Sequence, residues 1–344
     1  MNRIYLDHNA TTLLRAEARA AMIAAMEVVG NPSSVHGEGR AAKALLERSR
    51  ATVAEAVGAS GADVVFVSGA TEAAALALAG RGLRGSDLEH EAVRAWVECD
   101  LPVVEGRVTV DEPARSVVQL ANSETGIVQA LPEGLAASDI TQGFGRVAFS
   151  YAWAGVEQVF LSAHKFGGPK GIGALVVPRG FDVAAQLRGG GQEMGRRSGT
   201  ENIVAIAGMA AAAAAAQADL AAGRWGRVAE LRNILEKAVA AAVPQTISVG
   251  NDLNRLPNTA CIICPGWRGE TQVMAMDLAG FAVSAGSACS SGKVRSSPVL
   301  RALGFGDDLA ACALRVSLGI DTTEDEVLAF ADAWCARAKR LMAA

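Results

Sequence analysis

The stretch FLSAHKFGGPKG, residues Phe160 to Gly171, decides how the fold of this 344-residue chain is interpreted. An apolar run ends at Ala163, the basic pair His164 and Lys165 follows, and a glycine-rich turn comes next. A strand that delivers two basic side chains to a loop is typical of a site at the edge of a sheet. A strand with a solvated end fits the same letters, so the rest of the chain decides between the two interpretations.

Strands and helices alternate over most of the chain. Short apolar runs such as DVVFVS, SVVQLA, VEQVFLSA and IGALVVP are separated by segments with helical spacing, such as GRAAKALLERSRATVAEAV. This alternation predicts an α/β fold in which helices cover a mainly parallel sheet. After about residue 243 the pattern changes to α+β. We therefore predict a large domain over residues 14–243, and a small α+β domain built from residues 244–344 and the N-terminal arm, residues 1–13.

Composition excludes several classes of partner. The chain is 51% hydrophobic with a net charge of −4, so no global basic field attracts nucleic acid or an anionic membrane. The alanine-rich run at residues 203–217 is expected to be too short and too weakly apolar to span a bilayer, and to begin one long helix that continues past Trp225. Scattered cysteines and an N-terminus without a signal-peptide pattern predict reduced thiols and a cytoplasmic location.

Three further motifs carry candidate chemistry. In FVSGATE, Gly69, Ala70 and Thr71 stand where a strand meets a helix, which suits a phosphate, although an ordinary helix cap explains the same residues. In SDITQGFG, Asp139 and Gln142 follow a strand, and a carboxylate there could pair with a cationic ring nitrogen or merely form a turn. A lysine among apolar neighbours, as at position 165, can form a Schiff base. Together these groups are what pyridoxal phosphate requires.

At this point the chain resembles a known family, the NifS/IscS-type cysteine desulfurases of the class V aminotransferase group, in a shortened form. The collinear motifs are YLDHNATT, NPSSVHGEGR, FVSGATE, EHEAV, SDITQGFG, LSAHKFGGPKGIGAL, RGGGQEMGRRSGTEN, SAGSACSSG and LRVSLGIDTTEDEV. The resemblance implies an aspartate-aminotransferase-type large domain (pyridoxal-phosphate fold type I), pyridoxal 5'-phosphate as cofactor and a homodimer. It implies no metal site.

The resemblance also implies roles for individual residues. Lys165 would hold the cofactor covalently and move the substrate's Cα proton, and His90 would stack over the ring and act in acid/base steps. The remaining cofactor contacts would be Asp139 at the ring nitrogen, Gln142 at the ring hydroxyl, and Ala70, Thr71, Ser162, His164 and Thr200 at the phosphate, with Thr200 reaching the neighbouring subunit. Arg315 would clamp the substrate carboxylate, with Asn9 and Ser123 as further substrate contacts.

Cys289, in SAGSACSSGK, distinguishes the desulfurase reaction from transamination. As the resemblance implies, this thiol would take sulfur from L-cysteine, leaving L-alanine and a persulfide that supplies iron–sulfur cluster assembly or another acceptor protein. Taken alone, a cysteine between small residues is more often a quiet buried thiol. Cys261 and Cys264 lie three apart in a predicted strand, so they face opposite sides and are expected to be core. The other thiols, Cys99, Cys312 and Cys335, are also predicted to be core.

The chain departs from the family pattern in two ways. Ser123 stands in ANSETG where the family usually has a second asparagine, and the segments 91–119 and 126–139 look trimmed. The missing helical cover predicts an apolar face for a partner or a repacked dimer. Two alternatives therefore stay open: a degenerate homologue that acts as a binding or regulatory subunit, and a selenocysteine lyase or another class V reaction.

Overall fold

The computed structural model describes residues 3–286 and 297–343. The α-helices there are α1 (Ala16–Met26), α2 (Gly37–Ala56), α3 (Ala70–Leu78), α4 (Glu91–Arg94), α5 (Tyr151–Ala154), α6 (Ile203–Ala221), α7 (Arg224–Ala242), α8 (Gly269–Asp277), α9 (Pro298–Ala302), α10 (Asp307–Ala310) and α11 (Glu324–Met342). The strands are β1 (Ile4–Tyr5), β2 (Asp63–Val67), β3 (Arg84–Gly85), β4 (Glu98–Cys99), β5 (Val103–Val104), β6 (Arg107–Val108), β7 (Ser138–Asp139), β8 (Val159–Ser162), β9 (Gly173–Val177), β10 (Ile247–Ser248), β11 (Thr259–Ile263), β12 (Phe281–Ala282), β13 (Ser284–Ala285) and β14 (Ala313–Ser317). Short 3-10 helices cover Pro113–Arg115, Ala163–Lys165 and Gln192–Gly195.

The large sheet is mainly parallel, as predicted. Strands β2, β9, β8 and β7 lie side by side in that order; β7 and β8 are parallel, and β9 runs antiparallel to both of its neighbours. Parallel bridges from Val117 to Ala137 and from Arg84 to Ser116 extend this sheet to the parallel pair β3 and β4. The predicted strand SVVQLA therefore contributes through these bridges. The carboxyl ends of β2, β7 and β8 meet at one edge.

Alternating side chains of the sheet pack into two apolar layers. Val64 and Phe66 of β2 belong to the core beneath α1, α2 and α6, whereas Val65 and Val67 pack with α3 on the opposite face. Successive strand residues point to opposite faces, so a continuous apolar run is what a sheet covered on both sides requires. The predicted helical cover is therefore present on both faces of the central strands.

The C-terminal part forms a second, antiparallel sheet in the order β10, β11, β14, β13. The N-terminal strand β1 pairs in parallel with β12, so the arm does join this region. Cys264 packs in the core with α7 and α11, while Cys261 lies in a separate cluster with Leu300 on the other face. This separation agrees with the prediction that the two thiols are core residues. The exact domain boundaries remain a prediction.

The alanine-rich run differs from the expectation. The predicted single helix is wrong, because Gly223 takes a left-handed φ of 70° and separates α6 from α7. By length and composition alone α6 is also sufficient to cross a membrane, with a mean hydropathy of 1.6, contrary to the expectation that the run is too short and weakly apolar. It packs between α1 and α2, and 56% of its apolar window is buried, which is typical of a core helix.

The two segments predicted to be trimmed contain little helix. Residues 91–119 hold the one-turn α4, the β5–β6 hairpin and a 3-10 turn, and the described residues 127–137 hold no helix. In the second segment, the backbone amide of Gly134 donates to the carbonyl of Gly155. Trp153, two residues before Gly155, is 67% exposed. Whether a partner covers this region remains a prediction.

Candidate functional site

A cavity of about 1030 Å³ opens at the edge where the parallel strands of the large sheet end. This edge is where ligands bind in open α/β sheets, because successive loops converge there. Most of the predicted site residues line the cavity: Asn9, Ala70, Thr71, His90, Ser123, Asp139, Gln142, Ser162, His164, Lys165 and Arg315. They come from seven separate segments of the sequence, so the fold brings them together.

Lys165 lies directly after β8, in the 3-10 turn Ala163–Lys165. Its half-buried side chain donates from Nζ to the carbonyl oxygens of Asn9, at 2.6 Å, and Ala10, at 2.9 Å. The strand ends there because the chain turns into the glycine-rich segment that leads to β9. The amine is therefore held at the cavity by backbone oxygens.

The amino end of α3 lines the same cavity and suits an anion. Helix α3 starts after Gly69, which has no side chain to cap the first amides, so these N–H groups are available to a ligand. A Cβ atom on Gly69 would lie 3.6 Å from Ser162 Oγ, and Thr71 is exposed at the same helix end. Burial, with the nearby charges of two lysines, lowers the pKa of His164 to about 4, so its imidazole is neutral at pH 7.

Two buried carboxyl groups, Glu89 between β3 and α4 and Asp139 on β7, line the cavity. Asp139, at the end of β7, accepts the Thr141 amide at 2.9 Å and is 9% exposed. Glu89 accepts the Gln119 amide through Oε1, and its Oε2 is buried without a hydrogen-bond partner among the described residues. Burial, reinforced by the Asp139 charge, raises the pKa of Glu89 to about 8, so this acid is protonated at neutral pH.

The antiparallel sheet contributes a guanidinium from the other side. Arg315, on β14, donates from Nη2 to Asp7 Oδ1 at 2.8 Å and from Nη1 to the Ser123 carbonyl at 3.2 Å. Its Nε is buried without a partner among the described residues. Glu124 lies beside it, and burial raises the pKa of this carboxyl to about 7, against the opposing effects of the Ser297 hydroxyl and Arg315. A carboxylate ligand would find a preorganised cation there.

Asn9 and the Ser123 carbonyl, both in predicted substrate-contact residues, make hydrogen bonds within the protein. Asn9 donates from Nδ2 to the Ser123 carbonyl and to Thr259, and its Oδ1 accepts from Asn258 and Arg146. The Asn9 amide is therefore engaged on both sides and braces the turn that also receives Arg315. Any contact of these two side chains with substrate remains a prediction.

Three predicted residues are not brought into the cavity in the same way. His90 lines the cavity but is exposed, and its Nδ1 accepts the Ala92 amide as the N-cap of α4. Thr200 is exposed and lies outside the cavity lining. Cys289 lies outside the described residues. Of the remaining thiols, Cys312 and Cys335 are buried as predicted, whereas Cys99 is only half-buried, because it lies on the two-residue edge strand β4.

Sequence reasoning missed Glu89, Glu124 and Arg146 as site residues. The first two stand in the motifs EHEAV and ANSETG, so their positions were visible, but their burial was not. Arg146 follows SDITQGFG directly, and nothing in the neighbouring residues indicates that it is buried. No group of three or more His, Cys, Asp or Glu side chains in residues 3–286 and 297–343 has the arrangement of a metal site.

Comparison with known proteins assigns the chain to a family. The Aminotransferase class-V model matches residues 4–98 and 112–330, so the chain belongs to the class V aminotransferase family. Among its relatives is a cysteine desulfurase of Cereibacter sphaeroides, 39% identical, with 95% of this chain and 93% of that protein aligned. Cysteine desulfurase IscS of Dictyoglomus turgidum is 33% identical, with 94% and 91% aligned.

Solved structures agree with this assignment. A NifS-like protein from Rickettsia africae ESF-5 superimposes with a TM-score of 0.87 and 29% identity, covering the whole of both chains. DndA from Streptomyces lividans gives a TM-score of 0.71 and 28% identity, covering 91% of this chain and 99% of that one. The predicted resemblance and fold class are confirmed.

Proposed function

We propose that the chain is a pyridoxal-phosphate-dependent cysteine desulfurase that converts L-cysteine to L-alanine and passes the sulfur to an acceptor. The observation that carries the proposal is that Lys165, Asp139, the amino end of α3 and Arg315 line one cavity in a chain with desulfurase relatives. The described residues fit the cofactor: uncapped amides suit its phosphate, the Lys165 amine suits its aldehyde, and buried Asp139 suits its ring nitrogen.

When bound, the cofactor supplies an electron sink for negative charge that develops at the substrate Cα. The residues of the chain do the rest. Arg315 holds the substrate carboxylate, Asp139 keeps a positive charge at the ring nitrogen, and the Lys165 amine removes and returns the Cα proton. His164, which is neutral because its pKa is lowered to about 4, would donate a ring N–H at the phosphate end.

Sulfur transfer needs a thiolate, for which we propose Cys289. Its sulfur attacks the substrate sulfur, the new S–S bond forms as the substrate C–S bond breaks, and the carbon keeps the electron pair and takes a proton to become alanine. The products are alanine and a persulfide, so no external oxidant or reductant is required. An iron–sulfur scaffold or sulfur-carrier protein is the proposed acceptor, and a cytoplasmic location goes with that role.

We also propose a homodimer. Thr200 is exposed and lies outside the cavity of its own chain, so in the role predicted for it only a neighbouring subunit could bring it to a phosphate. Size-exclusion chromatography with light scattering measures this directly, and a monomer that binds the cofactor normally would contradict it.

The activity is tested by incubating purified protein with L-cysteine, pyridoxal phosphate and a reductant, and measuring alanine and sulfide. We expect both in equal amounts, and we expect Cys289→Ser to keep the visible absorbance of bound cofactor while losing sulfide release. Parallel assays with selenocysteine distinguish a lyase preference. A chain that binds the cofactor and produces no alanine from either substrate would support the degenerate-homologue alternative and overturn the proposal.

A further inference from the structure

Arg146 is a buried cation that no carboxylate balances. It is 4% exposed, and its guanidinium contacts only neutral oxygen atoms among the described residues. Other buried arginines of the chain are paired: Arg196 with Asp63 at 2.8 Å and Arg255 with Glu236 at 2.6 Å. Burying a charge without a counter-ion is costly, so the position of Arg146 calls for a function.

The charge persists at neutral pH. Burial, with a contribution from the positive charge of Arg315, lowers the pKa of Arg146 to about 9, which still leaves the group protonated at pH 7. The titratable and charged groups around it are His8 and Lys165, whose carbonyls it contacts, and Arg315. Its other neighbour is the Trp225 ring, 6.0 Å away. Arg315 is itself paired with Asp7, so Arg146 is the cation without a carboxylate partner, in contact with Asn9, Gln142 and Lys165 of the cavity lining.

The contacts of Arg146 determine which way Gln142 points. Arg146 Nη1 donates to Gln142 Oε1 at 2.8 Å, and an arginine can only donate. The amide nitrogen of Gln142 is therefore on the other side, where it donates to the Asn9 carbonyl at 3.0 Å and retains a second hydrogen. Since Gln142 lines the cavity, it can offer a ligand a donor and not an acceptor.

The Nη2 group of Arg146 contacts the backbone of Lys165. Arg146 Nη2 donates to the Lys165 carbonyl at 2.9 Å, while Nη1 also bonds Asn9 Oδ1 at 2.8 Å. The Asn9 carbonyl in turn accepts from both Lys165 Nζ and Gln142 Nε2. One buried arginine thus braces the backbone of the predicted cofactor lysine and the side chain beside it.

We propose that Arg146 is a positioning residue that fixes Gln142 as a hydrogen-bond donor and places a positive charge beneath the bound cofactor, so that the ring oxygen facing Gln142 is held as an anion. The inference rests on the cofactor part of the proposed function, and not on cysteine being the substrate. A positive charge near the bound group favours its deprotonated form. Removing that charge should therefore raise the pH at which the lysine-bound cofactor changes its visible absorbance.

The test is a pH titration of the visible spectrum of the cofactor-loaded protein, without substrate. Arg146→Met should move the midpoint upward by about half a pH unit to one unit, the size expected from losing one hydrogen bond and its charge. Arg146→Lys keeps the positive charge but cannot contact both Gln142 Oε1 and the Lys165 carbonyl, so it should give a smaller shift. Gln142→Leu removes the hydrogen-bond donor and leaves Arg146 in place, so it should also raise the midpoint. This variant tests the inference independently if Arg146→Met does not fold.

The matched control is Arg232→Met. Arg232 is also partly buried and donates to a backbone carbonyl, that of Leu256 at 2.7 Å, but it lies on α7 away from the cavity. We expect no shift for this variant. A midpoint that is unchanged in Arg146→Met and Gln142→Leu, or an equal shift in Arg232→Met, would overturn the inference. A shifted midpoint in a protein that produces no alanine from cysteine would keep this inference and reject the desulfurase activity.

Discussion

Replacing Arg315 by lysine should damage the use of cysteine while leaving the cofactor in place. In the free site Arg315 already contacts Asp7 and the Ser123 carbonyl, so its guanidinium is fixed in orientation before a ligand arrives. A lysine ammonium can keep one contact with a carboxylate but cannot make the paired, planar contact of a guanidinium. A hydrogen bond to a charged group contributes about 1.5–3 kcal/mol, so losing one should lower kcat/KM about 10- to 150-fold.

The assay is alanine release at limiting and saturating cysteine, together with the visible spectrum of the bound cofactor. We expect the loss mainly in KM, because the carboxylate contact is made in the ground state as well as in the transition state. Arg301→Lys is the matched control, since Arg301 lines the same cavity but is exposed and lies 3.9 Å from its nearest carboxylate, Asp307. A near-normal KM in Arg315→Lys, or an equal loss in Arg301→Lys, would refute the proposed clamp.

Three further predictions follow from the site. Lys165→Ala should abolish covalent attachment of the cofactor, so borohydride reduction and peptide mapping should label Lys165 in the unmodified protein, and a label on Lys170 would refute the assignment. Glu89 has a pKa of about 8 in the fold, above the unfolded value of about 4.3, so the folded chain holds a proton that the unfolded chain releases and stability falls from about pH 5 to pH 8. In denaturant titrations of the apoprotein, Glu89→Gln should therefore gain stability relative to the unmodified chain across that range, and a pH-independent difference would contradict the burial argument. Ser123→Asn should raise sulfide release at limiting cysteine by up to about tenfold if serine positions the substrate loosely, whereas no change or a loss would mean that the site has adapted to serine.

The predictable parts of the fold are those specified by local patterns. Strands β2, β8 and β9 follow from their continuous apolar runs, and the start of α11 follows from the capping chemistry of Thr323. The structure has each of them. Where Lys165 and Asp139 lie also follows, because Asp139 ends β7 and Lys165 lies in the turn that follows β8. By contrast, the break between α6 and α7 depends on one glycine inside an otherwise helical pattern.

The unpredicted parts depend on residues far apart in the sequence. Arg146 is buried because the N-terminal arm folds over it and supplies Asn9, 137 residues away. Burial raises the pKa of Glu89 to about 8, and the charge of Asp139, 50 residues further along the chain, adds to that effect. Neither the burial of Arg146 nor the raised pKa of Glu89 can be predicted from the adjacent residues, although Glu89 lies within the motif EHEAV. The exposure of His90 is likewise set by the short α4 and not by its own motif.

Capture of the sulfur intermediate tests the central claim most directly. The cofactor-loaded protein is mixed with L-cysteine without reductant, alkylated, digested and analysed by mass spectrometry, while alanine is quantified in the same sample. The proposed chemistry predicts about one alanine per chain that carries a persulfide, with the extra sulfur on the peptide that contains Cys289. Alanine formed without a persulfide, or a persulfide confined to another cysteine such as Cys99, would contradict it.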